Sequence, residues 1–180
     1  MRSVLPAGLF MVLVFAIAGV IMHSSCKKTD NCAGVVCQHN GKCGDGFCMC
    51  PSGVGGDTCQ TIFCNLYDNK YAGSANVNTA HIGYTLIFSV PATTTSFLSM
   101  SLSVVKSSNG STTIPVLPVV LNSTSTATNA NFNITPTTVG GFTYSGTGIL
   151  YAKQASLTLY KTPAAGADTT YICTNFNLVP

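Results

Sequence analysis

The side chains that could carry out chemistry are few in this chain of 180 residues. It has five acidic residues, all of them aspartate, and three histidines, His23, His39 and His81. No two of these histidines have a spacing typical of a shared metal ion, such as four residues apart on a helix. The sequence therefore predicts no metal site built on histidine.

Hydrolytic chemistry has two weak candidates. Ser145 precedes a glycine but lacks the Gly-x-Ser-x-Gly turn that exposes a nucleophilic serine. Asp68 and Asp168 are the only acidic side chains after residue 60, and a glycosidase-like pair would need both in one cleft. We expect no catalytic residues and no cofactor, and an enzyme built on these aspartates stays as the alternative.

The nine cysteines are the strongest signal in the chain, because an odd number in an exported protein leaves one for a purpose other than pairing. Cys64 and Cys173 bracket the C-terminal part of the chain, and Cys26 follows an apolar N-terminal segment. The other six are separated by four, five, four, one and eight residues. These six are Cys32, Cys37, Cys43, Cys48, Cys50 and Cys59.

The segment that holds these six cysteines resembles an EGF-like domain. The likeness includes Asn40-Gly41-Lys42 before the third cysteine, and Pro51, Gly53 and Gly56 between the fifth and the sixth. Val54 stands where the family usually has an aromatic residue. The resemblance implies a spacer or contact module over residues 32–60. It also implies the bridges Cys32 to Cys43, Cys37 to Cys48 and Cys50 to Cys59.

Calcium is the usual ligand to consider for an EGF-like module. The calcium-binding members carry acidic residues four and two places before the first cysteine, and Glu or Gln immediately before it. Here those places hold Lys28, Asp30 and Asn31, so one of the three fits. Calcium needs six or more oxygen ligands, and we expect none to bind.

The N-terminus has the arrangement of an export signal. Val4 to Met22 carries no charge and follows the basic Met1-Arg2. Ser24-Ser25-Cys26 resembles the lipobox of bacterial lipoproteins, although His23 replaces the usual aliphatic residue. The resemblance implies a lipid attached to Cys26, which would bind the protein to a membrane.

Lipidation would divide this region into a signal at residues 1–25 and a tether at residues 26–31. Lys27 occupies the position where an aspartate usually retains lipoproteins in the inner membrane. Cys26-Lys27-Lys28 resembles the lipoproteins of Bacteroidota, in which surface display is frequent. This implies the outer membrane or cell surface and leaves the leaflet open. An uncleaved anchor helix and a signal cleaved without lipidation are the alternatives.

The composition argues against a charged partner. Charged residues make up 7% of the chain, against about 25% in an average soluble domain. With Arg2 removed in the signal, seven lysines and five aspartates leave a net charge of +2. This net charge is too small and too scattered to attract nucleic acid, which argues against nucleic-acid binding.

From residue 61 onward, apolar and polar residues alternate with the period of two that is typical of half-buried strands. Eight strands are predicted, at Tyr71 to Val77, Tyr84 to Val90, Leu98 to Val104, Thr112 to Leu121, Ala130 to Thr135, Phe142 to Tyr151, Ala155 to Lys161 and Thr169 to Leu178. Short strands with polar turns predict a mainly β domain at residues 61–180, an antiparallel barrel or sandwich. The inward side chains, which fill a small barrel or line a cavity, are Tyr84, Leu86, Phe88, Leu98, Met100, Leu102, Phe132, Tyr144, Leu157 and Leu159.

Local signals refine the strand prediction in one region. Asn109-Gly110 predicts a hairpin turn in which both residues take positive φ. Pro115 and Pro118 lack the amide hydrogen that a ladder needs, so the run that contains them is predicted to be an edge strand or to be interrupted.

Two features favour a barrel over a sandwich. Gly146 and Gly148 lie on one face of a strand, as at a bend or close backbone approach, although a weak strand is an alternative. Cys64 and Cys173 could pair and join the two ends of the domain. The strand order, the Gly-x-Gly strand and the terminal cysteine resemble the lipocalin-like (calycin-like) domains of bacterial lipoproteins.

These observations predict a lipid-anchored, exported cell-envelope protein that is not an enzyme. Its EGF-like module would act as a spacer or contact surface, and its β-rich head would bind a protein, a glycan or a small apolar ligand. The alternatives are a hydrolase or other enzyme on the β-domain, and a purely structural envelope component. An apolar cavity would favour binding, whereas a polar cleft that joins Asp68 or Asp168 would favour chemistry.

Overall fold

The structure, a computed structural model, describes residues 31–92, 96–111 and 114–180. It contains a small disulfide-rich module at residues 32–59, followed by a closed barrel of eight antiparallel strands. The mainly β fold is confirmed, and the β-domain is a barrel. The predicted signal, Cys26 and all of the predicted tether except Asn31 lie outside the described residues.

The disulfide module (residues 32–59) is organised by its three bridges around two short antiparallel pairs. The first pair is β1 (Lys42–Gly44) with β2 (Phe47–Met49), and the second is β3 (Val54–Gly55) with β4 (Thr61–Ile62). The bridges are Cys32–Cys43, Cys37–Cys48 and Cys50–Cys59, which are those that the EGF resemblance implies. Because β4 follows residue 60, the predicted domain boundary falls between two paired strands.

A four-residue helix, α1 (Phe63–Leu66), leads from the module into the barrel. Each barrel strand pairs with the next in sequence, and the last closes on the first. The strands are β5 (Lys70–Val77), β6 (Ala80–Ser89), β7 (Ser99–Lys106), β8 (Leu117–Leu121), β9 (Asn129–Val139), β10 (Phe142–Tyr151), β11 (Gln154–Pro163) and β12 (Thr169–Val179). All eight predicted strands are present.

The alternation of the strands places one set of side chains inside the barrel. Nine of the ten predicted inward residues are buried, and Leu98 is partly buried against the same core. The Phe88 ring meets the rings of Tyr71 and Phe132 edge to face, with centroids 6.0 and 5.4 Å apart. An eight-stranded barrel is just wide enough for side chains to fill it, and here aromatic rings occupy the half of the interior nearest α1.

The two glycines of β10 permit close approach of neighbouring groups. A Cβ on Gly148 would collide with the Phe132 ring and the Ser156 carbonyl oxygen, and one on Gly146 would collide with the Thr158 carbonyl oxygen. The ladder between β9 and β10 is also irregular between Tyr144 and Gly146. The glycines therefore make room for a ring and for the next strand.

The turn at Asn109-Gly110 differs from the prediction. Only Gly110 takes a positive φ, of 65°. Its amide donates to the Lys106 carbonyl oxygen at 2.9 Å, and the Ser111 amide donates to Asn109 Oδ1 at 3.0 Å. The asparagine side chain therefore stabilises a wider turn than a two-residue hairpin.

The predicted run that contains Pro115 and Pro118 has no strand at residues 114–116, and it is not an edge strand. β8 begins only at Leu117, after Pro115, and it pairs with both β7 and β9. Pro118 lies inside this strand, opposite Ser101. Closure of the barrel therefore gives a proline-containing strand two neighbours, and its pairing stays short.

The module packs against the end of the barrel where β7 begins. The Phe63 amide donates to the Gly53 carbonyl oxygen at 2.9 Å. A Cβ on Gly53 would lie 2.6 Å from the Phe97 carbonyl oxygen and 2.8 Å from the Leu98 side chain. The His39 ring meets the Phe97 ring edge to face at 5.6 Å. The absence of a side chain at Gly53 therefore permits this contact.

Gly53→Ala should destabilise the protein more than Gly34→Ala does. The two glycines have φ values of +86° and +85°, so both substitutions carry a similar backbone cost of about 1–2 kcal/mol. No atom lies within 4 Å of a Cβ on Gly34, whereas one on Gly53 meets backbone. We expect an additional loss of about 1–3 kcal/mol for Gly53→Ala in urea unfolding. Equal losses in the two variants would contradict the packed contact.

Candidate functional site

The two aspartates of the barrel domain lie at opposite ends of the barrel. Asp68 precedes β5, where its Oδ2 accepts the Val90 amide at 3.4 Å. Asp168 precedes β12, which runs antiparallel to β5 and ends opposite its start. The length of β12, about 30 Å, therefore separates them along the wall. A glycosidase-like pair requires about 5–9.5 Å, so the geometry contradicts a shared cleft.

The described histidines do not form a metal site. His39 Nδ1 lies 2.7 Å from the Cys59 carbonyl oxygen, and its ring packs on Phe97 at the joint between module and barrel. His81 is exposed on β6. Within residues 31–92, 96–111 and 114–180, no group of three His, Cys, Asp or Glu side chains could hold a metal ion.

The predicted bridge between Cys64 and Cys173 is wrong, because both are free, buried thiols. Cys64 lies in α1, where its Sγ–H donates to the Phe97 carbonyl oxygen at 3.0 Å. Cys173 lies within β12 opposite Ala75, five residues along β5 from Lys70 at the α1 end. Five strand residues span about 16 Å, whereas a bridge needs Cα atoms within about 7 Å.

A cleft of about 420 Å³ opens at the other end of the barrel, which we call the rim cleft. It forms where the short β8 leaves its neighbours without a partner, since β7 and β9 both continue past the first residue of β8. The side chains around it are mostly apolar, and Val116 and Val139 are 63% and 46% exposed. The lining residues are Ser103, Ile114, Pro115, Val116, Val139, Gly140, Phe142, Tyr144 and Lys161.

Lys161 supplies the positive charge of the rim cleft. Its Nζ lies 3.9 Å from the centroid of the Phe142 ring, in a cation–π contact. Asp168 lies on the loop next to Thr169, the residue opposite Lys161 in the ladder. In the part of the chain that the structure describes, Lys161 forms no ion pair with it or with any other carboxylate. The ammonium is therefore available to a ligand.

Three tyrosines form the layer of the interior beneath Lys161. Tyr144 is opposite Lys161, and Tyr171 is opposite Leu159, two residues further inside. The Tyr84 and Tyr171 rings meet at 6.1 Å. Burial raises the pKa of all three, and for Tyr171 the neighbouring Tyr84 and Tyr144 raise the pKa further. All three are therefore neutral phenols at physiological pH.

The hydroxyls of these tyrosines have no hydrogen-bond partner among the described residues, and none of the three is completely sealed from solvent. Of the three, Tyr144 lines the rim cleft itself. Its hydroxyl can therefore donate a hydrogen bond to a molecule at the rim.

The rim cleft was not predicted from the sequence. Its residues come from β7, the segment before β8, the end of β9, the turn after it, β10 and β11. The available signal was the pair Pro115 and Pro118, which shortens β8 and so opens the wall. A second, smaller cleft of about 210 Å³ lies beside Asp68 at the α1 end.

No family model, curated protein or solved structure matches this chain. The likenesses to EGF-like and calycin-like domains therefore remain resemblances. Within the described ranges, no helix is long and apolar enough to cross a membrane.

Raising the pH above about 9 should lower the free energy of unfolding. Burial raises the pKa of the Cys173 thiol from 9.0 to about 12, and that of Cys64 to about 11. The unfolded chain loses these protons near pH 9, whereas the folded chain keeps them, so stability is full below pH 9 and falls up to about pH 12. For Cys173 the loss is about 4 kcal/mol in total.

Urea unfolding between about pH 8 and 10.5 measures this loss, with Cys173→Ala as the matched variant. That variant should start less stable, because it leaves a cavity, but decline less steeply as the pH rises. A decline of the same slope in both proteins would contradict the buried thiol as its source.

Proposed function

We propose that this protein is a lipid-anchored, exported cell-envelope protein that binds a small amphipathic molecule without turnover. The ligand has an apolar body and an acidic group. The EGF-like module spaces the calycin-like barrel from the lipid tether at Cys26. The single observation that carries the proposal is the rim cleft, in which apolar walls surround the unpaired ammonium of Lys161.

The size and lining of the rim cleft support binding. Its volume of about 420 Å³ falls within the range of about 300–1,000 Å³ typical of small-molecule sites. Such sites combine apolar walls with a few polar groups that orient the ligand. Here Lys161 and the Tyr144 hydroxyl supply those groups, while Val116, Val139 and Phe142 supply the apolar contact.

The contacts of Lys161 support a counter-ion role. Its Nζ lies over the face of the Phe142 ring at the wall of the cleft, and it forms no ion pair with a described carboxylate. An ammonium so held attracts a carboxylate, sulfonate or phosphate group.

The rim cleft lies at the end of the barrel away from the disulfide module. The module contacts Phe97 and Leu98, just before β7, whereas the cleft begins at Ser103 on the same strand. A ligand at the rim therefore meets neither the module nor α1. This arrangement, with the module at one end of the barrel and the cleft at the other, suits a binding domain carried on a spacer.

Dodecanoate should bind the protein, and Lys161→Met should weaken that binding about tenfold or more. Charge-assisted hydrogen bonds contribute about 1.5–3 kcal/mol. Dodecanol has the same chain without the charge, so the parent protein and Lys161→Met should bind it with similar affinity. Isothermal titration calorimetry with both compounds measures the difference, and Lys161→Arg should retain most of the affinity.

Lys153→Met is the matched control, because Lys153 is an exposed lysine in the turn between β10 and β11, at the other end of the barrel. It removes the same net charge and should leave dodecanoate binding unchanged. Equal losses in the two methionine variants would show non-specific attraction. Failure of both compounds to bind would reject the binding head and leave a purely structural role.

Cys26→Ser should move the protein out of the membrane fraction when membranes are separated from soluble material. Serine cannot carry the thioether-linked lipid, so the variant stays unprocessed or becomes soluble. Ser24→Ala is the matched control, because it keeps a small residue before the cysteine. Membrane association of Cys26→Ser equal to that of the parent, with an intact N-terminus, would favour the anchor helix.

A further inference from the structure

The outer face of the β1–β2 pair exposes two large apolar side chains. Phe47 and Met49 are 77% and 62% exposed and, two residues apart on β2, they point to the same face. They pair with Gly44 and Lys42, which share that face. A Cβ on Gly44 would lie 2.9 Å from the Met49 Cε, so the methionine lies across the glycine toward Phe47. We call Phe47, Gly44 and Met49 the apolar strip.

The large side chains of the apolar strip lie outside the buried core. Cys48, between its two large side chains, points to the opposite face and is bridged to Cys37. Neither Phe47 nor Met49 belongs to the hydrophobic core of the barrel. Two adjacent, mostly exposed aromatic and thioether side chains form a contiguous apolar surface, which can contact another apolar phase.

The chain enters the module beside this strip. The Asn31 carbonyl oxygen lies 3.3 Å from the position of a Cβ on Gly46, the residue that precedes Phe47. Asn31 is the last residue of the predicted tether, which begins at Cys26. Five residue steps span at most about 18 Å. A lipid on Cys26 therefore holds the apolar strip within that distance of the bilayer.

We propose that the apolar strip seats the module on the phospholipid bilayer, an inference that rests on the lipid anchor proposed above. Phe47 and Met49 enter the interfacial layer, and Lys42 lies at the level of the lipid phosphates. Asp45, in the turn, offsets part of this attraction, so the apolar contact carries the seating. Two side chains are far fewer than a stable protein interface contains, whereas a tethered surface needs only a small contact.

This seating orients the whole protein. The bilayer contacts the module, and the module packs on the α1 end of the barrel through Gly53. The rim cleft lies at the other end of the barrel. The ligand site therefore points away from the membrane into the surrounding medium.

Tryptophan fluorescence tests the seating, because the chain contains no tryptophan. Phe47→Trp and Met49→Trp, in the full lipidated chain, are reconstituted into vesicles of phosphatidylethanolamine and phosphatidylglycerol. The matched control is Tyr160→Trp, at an exposed aromatic position on the outside of β11. Lipids brominated on their acyl chains then quench any tryptophan that enters the bilayer.

Both strip variants should show blue-shifted emission and at least threefold stronger quenching than Tyr160→Trp, a contrast set by contact with the acyl chains. Emission typical of water, without quenching, in protein that floats with the vesicles would overturn the seating and leave the lipid anchor intact. Protein that fails to float would reject the anchor and the seating together. A blue shift without bromine quenching would show that the strip contacts protein instead, and it would overturn the proposed contact with the bilayer.

Discussion

The pairing of β12 with β5 is the constraint on which the rest of the structure depends. It closes eight consecutive antiparallel strands into a barrel, so that neither the first nor the last strand presents an unpaired edge. Closure also fixes the circumference of the barrel and therefore the interior volume. Every inward side chain must fit within that volume. A strand shorter than its neighbours leaves a gap in the wall at one end of the barrel.

The packed interior determines where a ligand can bind. The rings of Tyr71, Phe88 and Phe132 meet in the half of the barrel nearest α1, and Gly148 makes room for one of them. Other buried side chains fill the rest of the interior. The short β8 opens the wall at one end, and the apolar side chains that would otherwise be covered there form the rim cleft.

The disulfide module gives the barrel two distinct ends. It packs through Gly53 on the end where α1 and β7 begin, and it leaves the rim uncovered. The apolar strip lies on the module, next to the point where the tether enters. The module, the barrel and the rim cleft thus follow one another, an order that suits the anchored binding protein proposed above.

Local sequence determined the parts of this protein that depend on near neighbours. The six cysteine gaps predicted the three bridges through a family resemblance, and the period-two alternation predicted all eight strands and nine of the ten buried side chains. Such signals succeed because loop lengths within the module and the two faces of a strand are set over a few residues.

Only the tertiary structure decided which distant residues lie at the same height along the barrel axis. Cys64 and Cys173 lie near the two ends of the domain in the sequence, yet they do not meet. Cys64 is in α1 at one end of the barrel, whereas Cys173 is in the middle of β12. Lys161, Phe142 and Val116 come together only because β7 to β11 curve around one axis and β8 is short. Alternation along a strand specifies a face but carries no information about height or about which strands become neighbours after closure.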